Sequence, residues 1–236
     1  MERIWLKSYP PGVPADINPD EYKSLVELFE TSIGKYGERP AFNNMGRTIR
    51  FAELDRMSRD FGAWLQARGL ARGARVALMM PNCLQYPVAM FGVLRAGDTV
   101  VNVNPLYTAR ELEYQLRDSG AEAIVILENF AHVLQEVRLR TPIRHIVVTS
   151  LGELLGLKGL VVNLVVRKLK KMVPPYELPG AISFKNALNE GKDKPLNTPA
   201  LGHDDNAFLQ YTGGTSGVSK GAMPLHRNVI AALLYY

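Results

Sequence analysis

An α/β fold, with a mostly parallel sheet flanked by helices, is the architecture this sequence predicts, and three observations predict it. Short apolar segments at 75–80, 99–103, 123–127, 145–149 and 207–211 alternate with segments of helical period, and strands apolar on both sides are those covered by helices on both faces. The helix between the second and third segments is located by a capping box, Thr108 with Glu111 three residues on. Composition is that of a globular chain, 47 % hydrophobic and 22 % charged over 236 residues. The single cysteine, Cys83, excludes a disulfide scaffold or zinc ribbon and suits a reducing, cytoplasmic setting.

The elements follow in order. Residues 1–23, with Pro10, Pro11, Pro14 and Pro19, read as an irregular arm. Ser24 caps a helix to residue 36, which Gly37 and Pro40 end, and 40–51 read as a hairpin turning at Asn44-Met45-Gly46. Leu54, Met57, Phe61, Trp64 and Leu65 give 52–68 a helical period, stopped by Gly69. Strand 75–80, helix 86–96, strand 99–103, helix 108–119, strand 123–127, helix 130–139 and strand 145–149 then form the regular alternation. Residues 151–180 interrupt it as a basic, amphipathic insertion. A short helix at 182–190, a polar linker at 191–202 and a strand at 207–211 lead to a glycine-rich loop, and 227–236 begin an apolar helix. The chain stops inside that helix without a cap, as expected of a piece of a longer protein. Neither a signal peptide nor a run of eighteen apolar residues is expected.

The net charge of +5 is local. Lys158, Arg167, Lys168, Lys170 and Lys171 carry all of it, with no acid between residues 154 and 176. The remainder is neutral, which argues against nucleic acid as a partner.

The last strand runs into Thr212-Gly213-Gly214-Thr215-Ser216-Gly217-Val218-Ser219-Lys220-Gly221, ten residues with four glycines, four hydroxyls and one lysine. Glycines let backbone N–H groups approach an oxyanion, hydroxyls add donors, and Lys220 supplies a cation. It is not a P-loop, which needs Gly-Lys followed by Ser or Thr, whereas Ser219 precedes Lys220 and Gly221 follows it. Gly217-Val218-Ser219-Lys220-Gly221 also satisfies the G-x-S-x-G nucleophile elbow, but the residues after it offer His226 and no acid.

With its flanks, Tyr211 to Ala222, this loop resembles the signature of the adenylate-forming superfamily, Tyr-Thr-Ser-Gly-Thr-Thr-Gly-x-Pro-Lys-Gly. Gly213 for Ser and Ser219 for Pro are departures found in its long-chain acyl-CoA branch. Met80-Pro81-Asn82, Leu94-Arg95-Ala96-Gly97, Val103-Asn104-Pro105 and 111–120 are similar to that family's N-terminal segment in order and spacing. Residues 81–113 and 209–222 most resemble bacterial long-chain fatty acid–CoA ligases. Leu225, before His226, stands where the family more usually has Thr.

The resemblance implies that 1–236 form the N-terminal portion of the AMP-binding domain of such a ligase. ATP, Mg2+ and coenzyme A would serve a long-chain fatty acid, activated through an acyl-adenylate. Tyr211, Thr212, Gly213, Gly214, Thr215, Ser216, Gly217, Val218, Ser219, Lys220, Gly221 and Ala222 would form the nucleotide-binding loop. Within it, Lys220 would neutralise the departing pyrophosphate. The adenine, magnesium, ribose and lid-lysine motifs of that family fall beyond residue 236, so this chain alone is expected to be inactive. An aryl- or amino-acid-activating ligase and a non-enzymatic membrane-surface module are the alternatives, and a homodimer stays open.

No metal site is expected, since His132, His145, His203 and His226 never fall at ligand spacing with one another or with Cys83. On a helical wheel over 159–173, Val161, Val162, Val165, Val166, Leu169, Met172 and Val173 share one side. Asn163, Arg167, Lys168, Lys170 and Lys171 take the other, with Leu160 and Leu164 among them. A basic face opposite an apolar one suits a helix lying on an anionic membrane, here the inner face of the cell membrane, with Lys158, Arg167, Lys168, Leu169, Lys170 and Lys171 as its contacts. The alternative is a surface helix packed on its own domain.

Overall fold

The computed structural model describes residues 3–212 and 219–234. Seven strands form one sheet in the order β7-β6-β5-β3-β4-β8-β9. They are β3 (Arg75–Met79), β4 (Thr99–Asn102), β5 (Ala123–Leu127), β6 (His145–Thr149), β7 (Ile182–Ser183), β8 (Phe208–Thr212) and β9 (Lys220–Ala222). Every neighbouring pair is parallel except β8–β9. A separate hairpin, β1 (Pro40–Asn44) with β2 (Arg47–Arg50), turns through Met45 and Gly46, both at positive φ as a tight two-residue turn requires.

Why the strands are apolar throughout is visible in β3. Val76 and Leu78 face a core built with α2 (Phe51–Ala67), α3 (Gln85–Ala96) and α7 (Phe184–Lys192), where Phe61, Leu65, Val93 and Phe184 are fully enclosed. Ala77 and Met79 face a second core with α4 (Ala109–Ser119) and α5 (Ala131–Val137), which supply Leu112, Leu116 and Leu134. Alternate residues of one strand therefore enter different cores, so neither face is left polar. Helix α1 (Leu25–Tyr36) is capped by Ser24, whose Oγ accepts from the Glu27 N–H, and α4 by the Thr108–Glu111 box. Helix α8 (His226–Leu234) closes the described chain.

Three expected boundaries are corrected. Ile182 opens no helix: it pairs with Val147 as an edge strand, and Ser183 then caps α7 by accepting from Asn186 N–H. The helix expected over 130–139 is three pieces, with 3-10 turns at Glu128–Phe130 and Arg138–Arg140 flanking α5. The stretch after Thr212, read wholly as loop, returns as strand β9 at Lys220.

The basic insertion holds the largest correction. Helix α6 (Leu157–Leu164) continues through a π-helical turn, Val165–Leu169, and ends there, so Lys170 to Val173 are not helical. Its face is rotated from the one expected. Val162 and Val166 turn inward with Gly159, while Leu157, Leu160, Val161, Leu164 and Leu169 are exposed. Asn163, placed on the polar side by the wheel, turns inward and accepts from Gly152 N–H at 2.8 Å while donating to Ser150 Oγ at 2.9 Å. Close approach helps set this rotation: a Cβ on Gly159 would sit 1.8 Å from the Gly152 carbonyl oxygen, so only glycine fits at that point of contact.

Candidate functional site

Strand β8 lies parallel to β4, with Val100 opposite Phe208, and carries the chain out at the carboxyl end of the sheet. The return strand β9 pairs antiparallel with it, Gln210 opposite Ala222, Tyr211 opposite Gly221 and Thr212 opposite Lys220. Two antiparallel arms thus flank the glycine-rich segment. Gly213, Gly214, Thr215, Ser216, Gly217 and Val218 lie outside the described residues; Tyr211, Thr212, Ser219, Lys220, Gly221 and Ala222 form the base of the hairpin.

That base is pinned to α4. The Tyr211 hydroxyl donates to Asp118 Oδ2 at 2.6 Å, and the Tyr114 hydroxyl donates to the Ser219 carbonyl at 3.2 Å. Burial, reinforced by the Asp118 carboxylate, pushes the Tyr211 hydroxyl well above the ordinary phenol range, so it remains a donor. Its ring lies on Gly221, where a Cβ would come within 3.1 Å of Cε2 and Cζ. Ser219 Oγ donates to the Thr212 carbonyl at 2.9 Å, crossing the hairpin neck. Lys220 is exposed and has no ion pair among the described residues, leaving its positive charge available to an incoming anion.

Sequence reasoning missed Tyr114 and Asp118. Four residues apart, they share a face of a helix whose start the capping box had located; nothing in the linear pattern names their partner. It also missed a polar line behind the hairpin, in which Tyr86 Oη donates to Asn102 Oδ1 at 2.8 Å and Asn102 Nδ2 to Gln210 Oε1 at 2.9 Å.

The nucleophile elbow finds no support in this geometry. Ser219 sits on the returning arm of a hairpin, not on a strand-to-helix turn, and its hydroxyl is spent on Thr212. His226, the nearest candidate base in sequence, is 1 % exposed and accepts from the Leu25 N–H through Nδ1 at 3.1 Å. Burial holds its imidazole below the usual range, hence neutral. Cys83 is buried, which pushes its thiol up and makes it unreactive. Among the described residues no three His, Cys, Asp or Glu side chains gather as for a metal ion.

In the insertion, Arg167 donates through Nε to both Glu128 oxygens at 3.0 Å and through a terminal nitrogen to Oε2 at 2.7 Å. Lys158 donates to the Met45 carbonyl at 2.6 Å. Two of the five cations expected to face a membrane are therefore engaged internally, while Lys168, Lys170 and Lys171 form no ion pair among the described residues. No described helix is long and apolar enough to cross a membrane.

The mostly parallel sheet with the β8–β9 hairpin at its edge is the frame of an α/β enzyme domain, and the chain belongs to the AMP-binding enzyme family, which it matches over residues 29–236. Among curated proteins it is 57 % identical over 235 residues to the long-chain-fatty-acid–CoA ligase of Escherichia coli O6:H1, and 57 % identical over 235 residues to that of Salmonella typhimurium. Each match covers 99 % of this chain and 42 % of the relative, so the chain spans less than half the length of these proteins. Among solved structures, a long-chain-fatty-acid-CoA ligase from Archaeoglobus fulgidus shares the fold at a TM-score of 0.71 and 23 % identity, covering 94 % of this chain and 40 % of that one.

Proposed function

We propose that this chain is the phosphate-gripping part of a long-chain fatty acid–CoA ligase, and that the hairpin 211–222 holds the ATP triphosphate. The observation that carries this is the hairpin base: an exposed Lys220 opposite Thr212, with no ion pair among the described residues, on strands fixed to α4 by Tyr211 and Tyr114. Relatives of that name at 57 % identity support the substrate class. A fixed cation costs no reorganisation when charge develops on the leaving pyrophosphate, which is where an enzyme gains most. A fatty carboxylate attacks the α-phosphate, the bond to pyrophosphate breaks, and coenzyme A thiol then displaces AMP from the acyl-adenylate. Mg2+ would add charge neutralisation at the phosphates. The test is ATP–pyrophosphate exchange by the intact protein with oleate, benzoate or an amino acid. Exchange driven by oleate supports the reading, and exchange driven only by benzoate or the amino acid replaces it.

The same reading places the protein on the inner face of the cytoplasmic membrane through the insertion. Leu157, Leu160, Val161, Leu164, Leu169 and Met172 are exposed together, beside Lys168, Lys170 and Lys171. An exposed apolar patch rimmed by cations fits an anionic bilayer surface better than open water.

A further inference from the structure

Beneath α6 lies a cavity of about 790 Å3 at the carboxyl ends of β5 and β6, walled by β7. It is not the hairpin site. Strand β6 stands four places from β8 in the sheet, roughly 19 Å at about 4.8 Å per strand. Its volume is in the range of pockets that enclose small molecules, about 300–1,000 Å3.

The hydrogen-bonding account of its wall is one-sided. Both oxygens of Glu128 are taken by Arg167. Glu153 Oε2 accepts from Thr149 Oγ at 2.6 Å and Ser150 N–H at 3.3 Å, and Oε1 from Lys185 N–H at 2.9 Å. The side-chain oxygen of Asn163 is taken by Gly152. The side-chain acceptors of these three residues are therefore engaged. Donors in the lining are left over, among them the half-buried Tyr176 hydroxyl and the exposed Lys185 ammonium, which have no hydrogen bond or ion pair among the described residues. Burial, with the Glu128 charge adding to it, holds the Tyr176 hydroxyl above its usual range, so it is protonated and able to donate. Most of the remaining wall is apolar, through Val148, Leu178, Ala181 and Ile182. Leu157 and Leu160 also line the cavity while 87 % and 70 % exposed, so its mouth opens onto the apolar outer face of α6.

Spare donors on the wall and at the rim, apolar walls and an apolar mouth describe one kind of guest. We propose that this cavity binds a single-chain amphiphile with an anionic head, a free long-chain fatty acid, its carboxylate meeting Tyr176 and Lys185 and its chain leaving past Leu157 and Leu160. It is a holding site for substrate at the membrane-facing edge of the sheet, separate from the place where acid is activated. The choice of a fatty carboxylate rests on the ligase reading; the surplus of donors does not.

The test is calorimetric titration of the intact protein with decanoate, decanol and decyltrimethylammonium, each below its micelle concentration. Wild type is expected to bind decanoate at a site that decanol and the cation fill at least tenfold more weakly. Tyr176→Phe, which removes only the hydroxyl, and Lys185→Gln, at an exposed position, should each weaken that site about tenfold, whereas Lys220→Ala should leave it unchanged. Decanoate binding that neither cavity variant alters, or that decanol matches, overturns the proposal. The ligase reading fails separately: oleate-driven exchange absent with decanoate binding intact removes the activation and leaves the site, and the reverse removes only the site.

Discussion

Tyr211 and Asp118, on strand β8 and helix α4, meet in a 2.6 Å hydrogen bond that ties the loop-bearing hairpin to the body of the sheet. One turn earlier on α4, Tyr114 holds Ser219 on the other arm. Tyr211→Phe should raise the KM for ATP several-fold in the intact protein and leave the KM for fatty acid unchanged, because it frees the hairpin and not the acyl site. The hydrogen bond itself is worth about 1 kcal/mol, since Asp118 is solvent-exposed. Asp118→Asn, whose amide oxygen still accepts, should recover most of the loss. Steady-state kinetics with each substrate varied in turn decides it.

Two glycines should respond with opposite sign. Gly159→Ala places a methyl group 1.8 Å from the Gly152 carbonyl oxygen, and should cost about 2–3 kcal/mol or displace α6. Gly34, in α1, has nothing within 4 Å of the same position. Gly34→Ala should therefore raise stability by about 0.5–1 kcal/mol through helix propensity. Urea unfolding of both variants is the check.

A buried carboxyl gives a pH dependence. Asp98, 4 % exposed between α3 and β4, has its pKa pushed up to about 7 by burial, relieved only partly by the Ala74 N–H. The folded state therefore binds a proton that the unfolded chain releases near pH 4. Stability contributed by this group is complete below about pH 4, falls as pH rises, and is lost above about pH 7. Asp98→Asn should gain on the order of 2–4 kcal/mol at pH 8, and nothing at pH 4. Melting temperatures across that range read the difference.

Vesicle sedimentation tests the surface of α6. The intact protein should bind anionic vesicles, bind neutral ones little, and release with salt, since the attraction decays within about 10 Å at 0.1 M. Leu160→Asp should weaken binding without lowering the melting temperature, because Leu160 is exposed. The combined change of Lys168, Lys170 and Lys171 to Gln should weaken it as well, at about 1 kcal/mol or less per charge. Variants that partition as wild type remove the membrane role.

How much of this was legible in the chain depends on what each residue answers to. Strands β3, β4, β5 and β6 answer to two cores at once, so their solid apolarity announced them, and Thr108 with Glu111 marked α4 by a purely local bond. Strand β9 answers to pairing alone: Lys220-Gly221-Ala222 has no apolar alternation, and only its ladder with β8 makes it a strand. The face of α6 was misread because a wheel weighs hydropathy, whereas contact between Gly152 and Gly159 and the bonds of Asn163 decide its rotation. The phosphate-binding role proposed for 211–222 was suggested by glycine, hydroxyl and lysine in succession. The anchors of the hairpin could not be read, since Asp118 lies 93 residues from Tyr211 and a polar pair at that distance leaves no periodic trace.

The central claim is that Lys220 stabilises charge developing on pyrophosphate, and the most direct measurement is the single-turnover rate of acyl-adenylate formation from ATP and oleate in the intact protein. Lys220→Ala should slow it by a factor of about 10² to 10³, with Lys220→Arg restoring part because a planar fork replaces a point charge. Ser219→Ala should be close to wild type. An unchanged rate in Lys220→Ala, or loss of activity in Ser219→Ala with covalent labelling of Ser219 by a fluorophosphonate in the wild-type protein, would contradict the account.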